Sequence, residues 1–155
     1  MVYSFFEWAE NTPFGLFVRD SRWGFAITEV VHLFGLVLLL GGVLMMSMRL
    51  LGWTMTDRPI WELARELRGW ITLGLVAMLA SGVTLWASEA VRMYDLPWFW
   101  FKMATLVLAL IFHFTVFRKL ADKDEPRPLA RLAIACGALL LWFGVGFGGR
   151  AIGFL

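Results

Sequence analysis

Glu29, His32, Lys102 and His113 each interrupt an otherwise apolar run of this 155-residue chain. An ionisable side chain at membrane depth costs at least about 2.5–3.5 kcal/mol on insertion scales, so each is a functional candidate by default. Imidazole is the commonest haem ligand and binds copper as well. That makes His32 and His113 the candidate cofactor and metal ligands. A carboxylate and an ammonium beside such a site tune its charge or move protons, which makes Glu29 and Lys102 candidate catalytic groups.

Spacing says which of these groups can meet. Glu29 and His32 are three residues apart, hence on one face of a helix and about a turn from each other. Glu29 lies seven residues past Arg22, and Lys102 lies seven past Asp95, where Arg22 and Asp95 flank their runs on the same side. This sets Glu29 and Lys102 at one depth and predicts an intramembrane ion pair, with His32 one turn deeper. His113 lies 18 residues past Asp95, against the ten from Arg22 to His32. The offset of eight residues is about 12 Å of helix, and counting from Arg49 and Arg118 on the other side makes it about 18 Å. Two imidazoles on one iron must lie within a few ångströms, so a haem shared by His32 and His113 of one protomer is disfavoured. A ligand held by one histidine, or His113 paired with its own copy across a parallel two-fold dimer, meets no such difficulty.

The elements that must hold these groups follow from composition. The chain is 60% hydrophobic and 17% charged, with a mean hydropathy of +0.73. Soluble domains run at roughly 45–50% apolar and about 25% charged, so the excess is surface that meets lipid. A span of about 30 Å takes roughly 20 residues of helix. Four runs qualify: 25–48, which holds Glu29 and His32; 70–88, uncharged; 96–117, which holds Lys102 and His113; and 132–149, again uncharged. The expected fold is an all-α integral membrane four-helix bundle forming one domain over 1–155. Between the first two runs, Pro59–Arg68 reads as a separate short amphipathic helix with Ile60, Leu63, Ala64 and Leu67 on one side.

Residues 1–24 lack the basic start of a signal peptide and mix Phe5, Phe6, Trp8, Phe14, Phe17 and Trp23 with polar residues. They read as an interfacial pair of helices, with Thr12-Pro13 starting the second and Asp20-Ser21 capping the first span. Trp98–Phe101 reads as an aromatic belt at the same interface. Nine Lys and Arg residues (Arg49, Arg58, Arg65, Arg68, Arg118, Lys119, Lys123, Arg127, Arg131) fall on one side, and four (Arg19, Arg22, Arg92, Arg150) on the other. By the positive-inside rule both termini lie outside, periplasmic if the membrane is a bacterial inner membrane. Gly35, Gly42, Gly74, Gly82, Gly144 and Gly148 recur where helices should touch. Close helix contact is their default meaning; room for a flat ligand such as a porphyrin is the sharper one, and it makes Gly35 a candidate cofactor-binding position.

His32-Leu-Phe-Gly35, with Gly42 and Arg49 further along the same helix, and Lys102, His113 and Arg118 on the third, together resemble a known pattern. It is that of the small four-helix protoporphyrinogen oxidase of bacteria, the HemJ type; the chain is also similar to CopD-type copper-resistance membrane domains. The likeness covers about a third of the chain, helices one and three. In that oxidase family the first-helix histidine, an arginine at the end of that helix and the third-helix lysine are functional, and a b-type haem is bound. The resemblance therefore implies similar roles for His32, Arg49, Lys102 and His113, with Arg49 joining the catalytic candidates. The added outer segment, and Leu or Val where the family carries Trp between His32 and Gly42, mark an uncharacterised sister family.

The leading expectation is a haem b-binding membrane protein doing electron transfer or redox chemistry on a porphyrin- or quinone-like substrate. Copper binding, suggested by the thioethers of Met45, Met46 and Met48, is the alternative. A third reading is an accessory subunit packed into a larger membrane complex through its glycine faces. There is no HExxH or GxSxG motif, and Cys136 is alone, which speaks against hydrolysis and disulfides. A net charge of +2 without a basic run speaks against nucleic acid.

Overall fold

The computed structural model describes residues 2–21, 23–122 and 126–154. Seven α-helices account for most of them: α1 Val2–Glu10, α2 Pro13–Asp20, α3 Gly24–Leu50, α4 Ile60–Ser88, α5 Ala90–Tyr94, α6 Pro97–Thr115 and α7 Pro128–Ile152, with a 3-10 turn at Phe117–Ala121 after α6. No strand occurs among the described residues. Helices α3, α4, α7 and α6 with its 3-10 turn are long and apolar enough to cross a membrane. Lipid-facing side chains such as Phe34, Val37, Leu140 and Phe147 are among the most exposed of the molecule. The protein is an all-α, multi-pass membrane bundle.

Three boundaries depart from the sequence reading. Pro59–Arg68 is no separate helix: its residues from Ile60 on form the first turns of the 29-residue α4. Gly69 costs a helix only about 1 kcal/mol, and nothing stands near it, so the backbone ladder runs through the change from charged to apolar sequence. The apolar side expected there is the packing side, with Ile60 and Leu63 buried and Ala64 and Leu67 against the core. The α-helical part of the third span ends at Thr115, and the span continues through the 3-10 turn to Ala121, where Arg65 Nε of α4 donates to the Ala121 carbonyl at 3.0 Å. The fourth span extends past both predicted ends, to Pro128 and Ile152.

The two expected N-terminal helices form. Thr12 Oγ1 accepts from Gly15 N at the start of α2, with Pro13 next, and Ser21 Oγ accepts from Gly24 N as α3 begins. The Glu10 carboxylate ties the pair to α5, accepting from Val91 N at 2.7 Å and pairing with Arg19 at 3.1 Å. Together α1, α2 and α5 roof one end of the bundle. Phe6 fills the roof, edge-on to Trp86, Tyr94 and Phe99. Phe99 is therefore core rather than belt, whereas Trp100 and Phe101 remain exposed. Arg49, Arg58, Arg65, Arg68 and Arg118 gather at the opposite, basic end; Arg22 and Lys123 of the charge count lie outside the described residues.

The core runs along the bundle axis through Leu39, Val43 and Met46 of α3, Leu75 of α4, Ala109 of α6, and Trp142 and Val145 of α7. Helix α3 packs on α4 and α7, and α7 on α6; α4 meets the 3-10 turn but makes no comparable contact with α6 itself. Helix α3 thus lies between α4 and α7, and α7 between α3 and α6. The α3–α4 seam is the tightest. A Cβ on Gly74 would lie 2.7 Å from Leu39 N and 2.8 Å from the Gly35 carbonyl, and one on Gly35 would lie 3.0 Å from the Gly74 carbonyl. Such mutual backbone approach needs small residues on both helices.

Candidate functional site

His32 projects from α3 towards α4, where its Nδ1 lies 2.8 Å from Ser81 Oγ. Ser81 itself is 2.5 Å from the Ala77 carbonyl. A hydroxyl has a single hydrogen, and the carbonyl can only accept, so Ser81 donates to Ala77 and must accept from His32. This fixes the imidazole as the Nδ1–H tautomer and leaves the Nε2 lone pair free. No described residue hydrogen-bonds Nε2. A histidine whose one nitrogen is anchored by donation while the other is bare has the arrangement of an oriented ligand.

Lys102 stands on α6 and packs against α7. Its side chain runs along a glycine track on α7: Cβ lies by Gly148, and Nζ is 3.4 Å from where a Cβ on Gly149 would sit. The apolar stem is thus packed against the glycine track, as the stems of amphipathic lysines are. Among the described residues no carboxylate pairs with it. The predicted Glu29–Lys102 ion pair does not form. Glu29 is exposed, because depth counting fixes height along a helix but not the direction in which a side chain leaves it. The 27-residue α3 is about 40 Å long, some 10 Å more than the hydrocarbon core. Glu29, five residues from its start, stays within reach of headgroups and needs no buried partner.

The other expected site residues lie elsewhere. Gly35 makes the α3–α4 backbone contact described above, so the space beside it is filled by α4 and holds no flat ligand. Arg49 lies 17 residues past His32, about 26 Å along α3. It is buried at the basic end and holds the α3–α4 loop, with Nε and Nη2 donating to the Arg58 carbonyl at 3.0 and 2.5 Å. Glu29, Lys102 and Arg49 are therefore not brought together. Met46 lies in the core while Met45 is exposed, so the methionines do not converge on one point. Among the described residues no group of three or more His, Cys, Asp or Glu side chains could hold a metal.

His113 is buried, its ring stacked on Phe117 at 5.5 Å and edge-on to Trp142 at 6.1 Å. Helix α4 serves as a ruler for its depth. His32 bonds Ser81, whereas His113 shares a small cavity with Ile71, Arg68 and Ala64. Ser81 and Ile71 are ten residues apart, about 15 Å of helix, in agreement with the offset read from the sequence. The two histidines cannot meet one iron, and burial also withdraws His113 from its counterpart in a second copy. The sequence reading missed Ser81 altogether. A lone serine in an apolar helix commonly bonds its own backbone, and only its distance to His32 sets it apart.

No curated protein matches this sequence, and no solved structure does. One family spans nearly the whole chain, from within α1 through α7 and including both histidines, Ser81 and Lys102. The chain belongs to DUF6644, a family of unknown function, which matches it over residues 5–155.

Proposed function

We propose that the protein is a haem b-binding redox protein of a bacterial inner membrane, in which His32 alone supplies the axial ligand. The observation that carries this reading is the His32–Ser81 hydrogen bond, which orients the ring and leaves Nε2 bare inside a membrane span. The donor set fits the group. A neutral imidazole suits haem iron, and the unpaired Lys102 ammonium suits the carboxylate edge of a porphyrin. Between α3 and α4 there is no room for the ring, since Gly35, Gly42 and Gly74 are all in close contact there. A flat apolar group of porphyrin or quinone type would therefore approach His32 from outside the α3–α4 seam. Haem would supply one-electron chemistry; the protein's part is to orient the ligand, neutralise the acidic edge and exclude water beneath the aromatic roof. The basic end is cytoplasmic, by the charge count, and both termini are outside.

The test is the haem content of detergent-purified protein from haem-replete cells, with Ser81→Ala beside the wild type. The wild type is expected to carry haem b. Ser81→Ala keeps the ligand but loses its orientation, and is expected to lower haem affinity about 10–100-fold, as for other outer-shell partners. A colourless wild type, or a Ser81→Ala variant with unchanged affinity, defeats the reading.

A further inference from the structure

We infer that the basic end carries a separate anion site, formed by Arg68, Arg118 and His113, that takes a phosphate group. The site is a cavity of about 30 Å³ between α4 and the 3-10 turn, lined by these three residues and by Ile71, Ala64 and Phe117. That volume admits a water-sized group such as a phosphate oxygen, with the rest of the phosphate held at the mouth. Both arginines are exposed, and among the described residues neither pairs with a carboxylate and no acidic side chain lines the cavity. The nearest acids on α4 leave the arginines free: Glu66 is taken by Arg58 at 3.1 Å, and Glu62 does not line the space.

The second observation is His113. It is only 7% exposed, lines the same cavity, and has a buried Nδ1 with no hydrogen-bond partner. Nδ1 itself is closed off even to a water-sized group, so the anion would meet the part of the ring that lines the cavity together with the two guanidinium groups. The site is also built rather than incidental. Arg65 clamps the 3-10 turn to α4 through the Ala121 carbonyl, which holds the turn carrying Arg118 against the helix carrying Arg68. Phosphate is favoured over other anions by its position where the helices reach the basic membrane face, since arginines between spans at that level meet lipid phosphates. The group is presented either by an acidic phospholipid or by a soluble phosphate compound. At about 15 Å from His32, the site does not depend on bound haem.

Thermal unfolding of the full chain tests this with two probes: inorganic phosphate titrated into detergent, and nanodiscs of phosphatidylcholine with increasing phosphatidylglycerol. At least one probe is expected to raise the unfolding midpoint saturably. A response to phosphatidylglycerol alone assigns a lipid, and a response to inorganic phosphate assigns a soluble compound; either supports the site. Arg68→Gln and Arg118→Gln are each expected to weaken the half-saturating concentration about fivefold, and His113→Phe, which keeps the ring shape, to weaken it as well. The doubly substituted Arg92→Gln/Arg150→Gln protein, altered at the opposite end, should respond like the wild type. No response from the wild type to either probe, or an unchanged response in Arg68→Gln/Arg118→Gln, overturns the inference.

Discussion

His32→Ala is expected to abolish haem binding, while His113→Ala leaves the haem content and its spectrum as in the wild type. The two histidines are equivalent in the sequence, each an ionisable interruption of a membrane helix. They differ in what their nitrogens do. His32 is oriented by Ser81 and offers a free lone pair. His113 is closed in by Phe117 and Trp142, with its unpaired Nδ1 buried. If His32 alone holds the group, as proposed, its loss leaves no side chain to bind the iron, so the effect would be close to complete rather than graded. His32→Gln, similar in reach but a poor iron ligand, should behave as His32→Ala does. Haem content per chain, read from the pyridine haemochrome, checks this. Equal losses in the His32 and His113 variants would mean that both hold the group, against the separation of about 15 Å along α4.

Gly74→Ala is expected to destabilise the bundle by about 2 kcal/mol, within the range for overpacking, and to lower the unfolding midpoint by about 5 °C. The added methyl would meet Leu39 N at 2.7 Å and the Gly35 carbonyl at 2.8 Å. Both are backbone atoms that cannot rotate away, so α3 and α4 must separate. Because Ser81 lies two turns beyond Gly74 on the same helix, separation also lengthens the His32–Ser81 contact, and haem content should fall with stability. Gly41→Ala and Gly69→Ala are the controls. Nothing lies within 4 Å of either added methyl, and alanine's better helix propensity, about 1 kcal/mol, should leave stability unchanged or raise it. A Gly74→Ala protein as stable as these controls would show that the seam is looser than its geometry states.

What could be read from the sequence, and what could not, divides along physical lines. The four spans were legible because a membrane demands length and hydropathy, which are properties of composition along the chain. Thr12 and Ser21 were legible because capping is local, and the glycines of the α3–α4 seam because close packing in lipid selects small residues. The axial offset of His32 and His113 was legible because helical rise is constant. Direction around a helix was not: Glu29 and Lys102 share a depth, yet Glu29 is exposed while Lys102 lies along the Gly148–Gly149 track. Neither was the pairing of His32 with Ser81, which are 49 residues apart and meet only because Gly35 and Gly74 bring their helices together. Arg49 illustrates the converse. The family resemblance suggested chemistry for it, whereas its guanidinium holds a loop carbonyl.

The most direct test of His32 as sole axial ligand is the absorbance spectrum of the dithionite-reduced, detergent-purified protein before and after carbon monoxide. A haem b spectrum that shifts with carbon monoxide is expected for the wild type and for His113→Ala, since one coordination position stays open, and no haem signal is expected for His32→Ala. A spectrum that carbon monoxide leaves unmoved, or a full haem signal in His32→Ala, would contradict it.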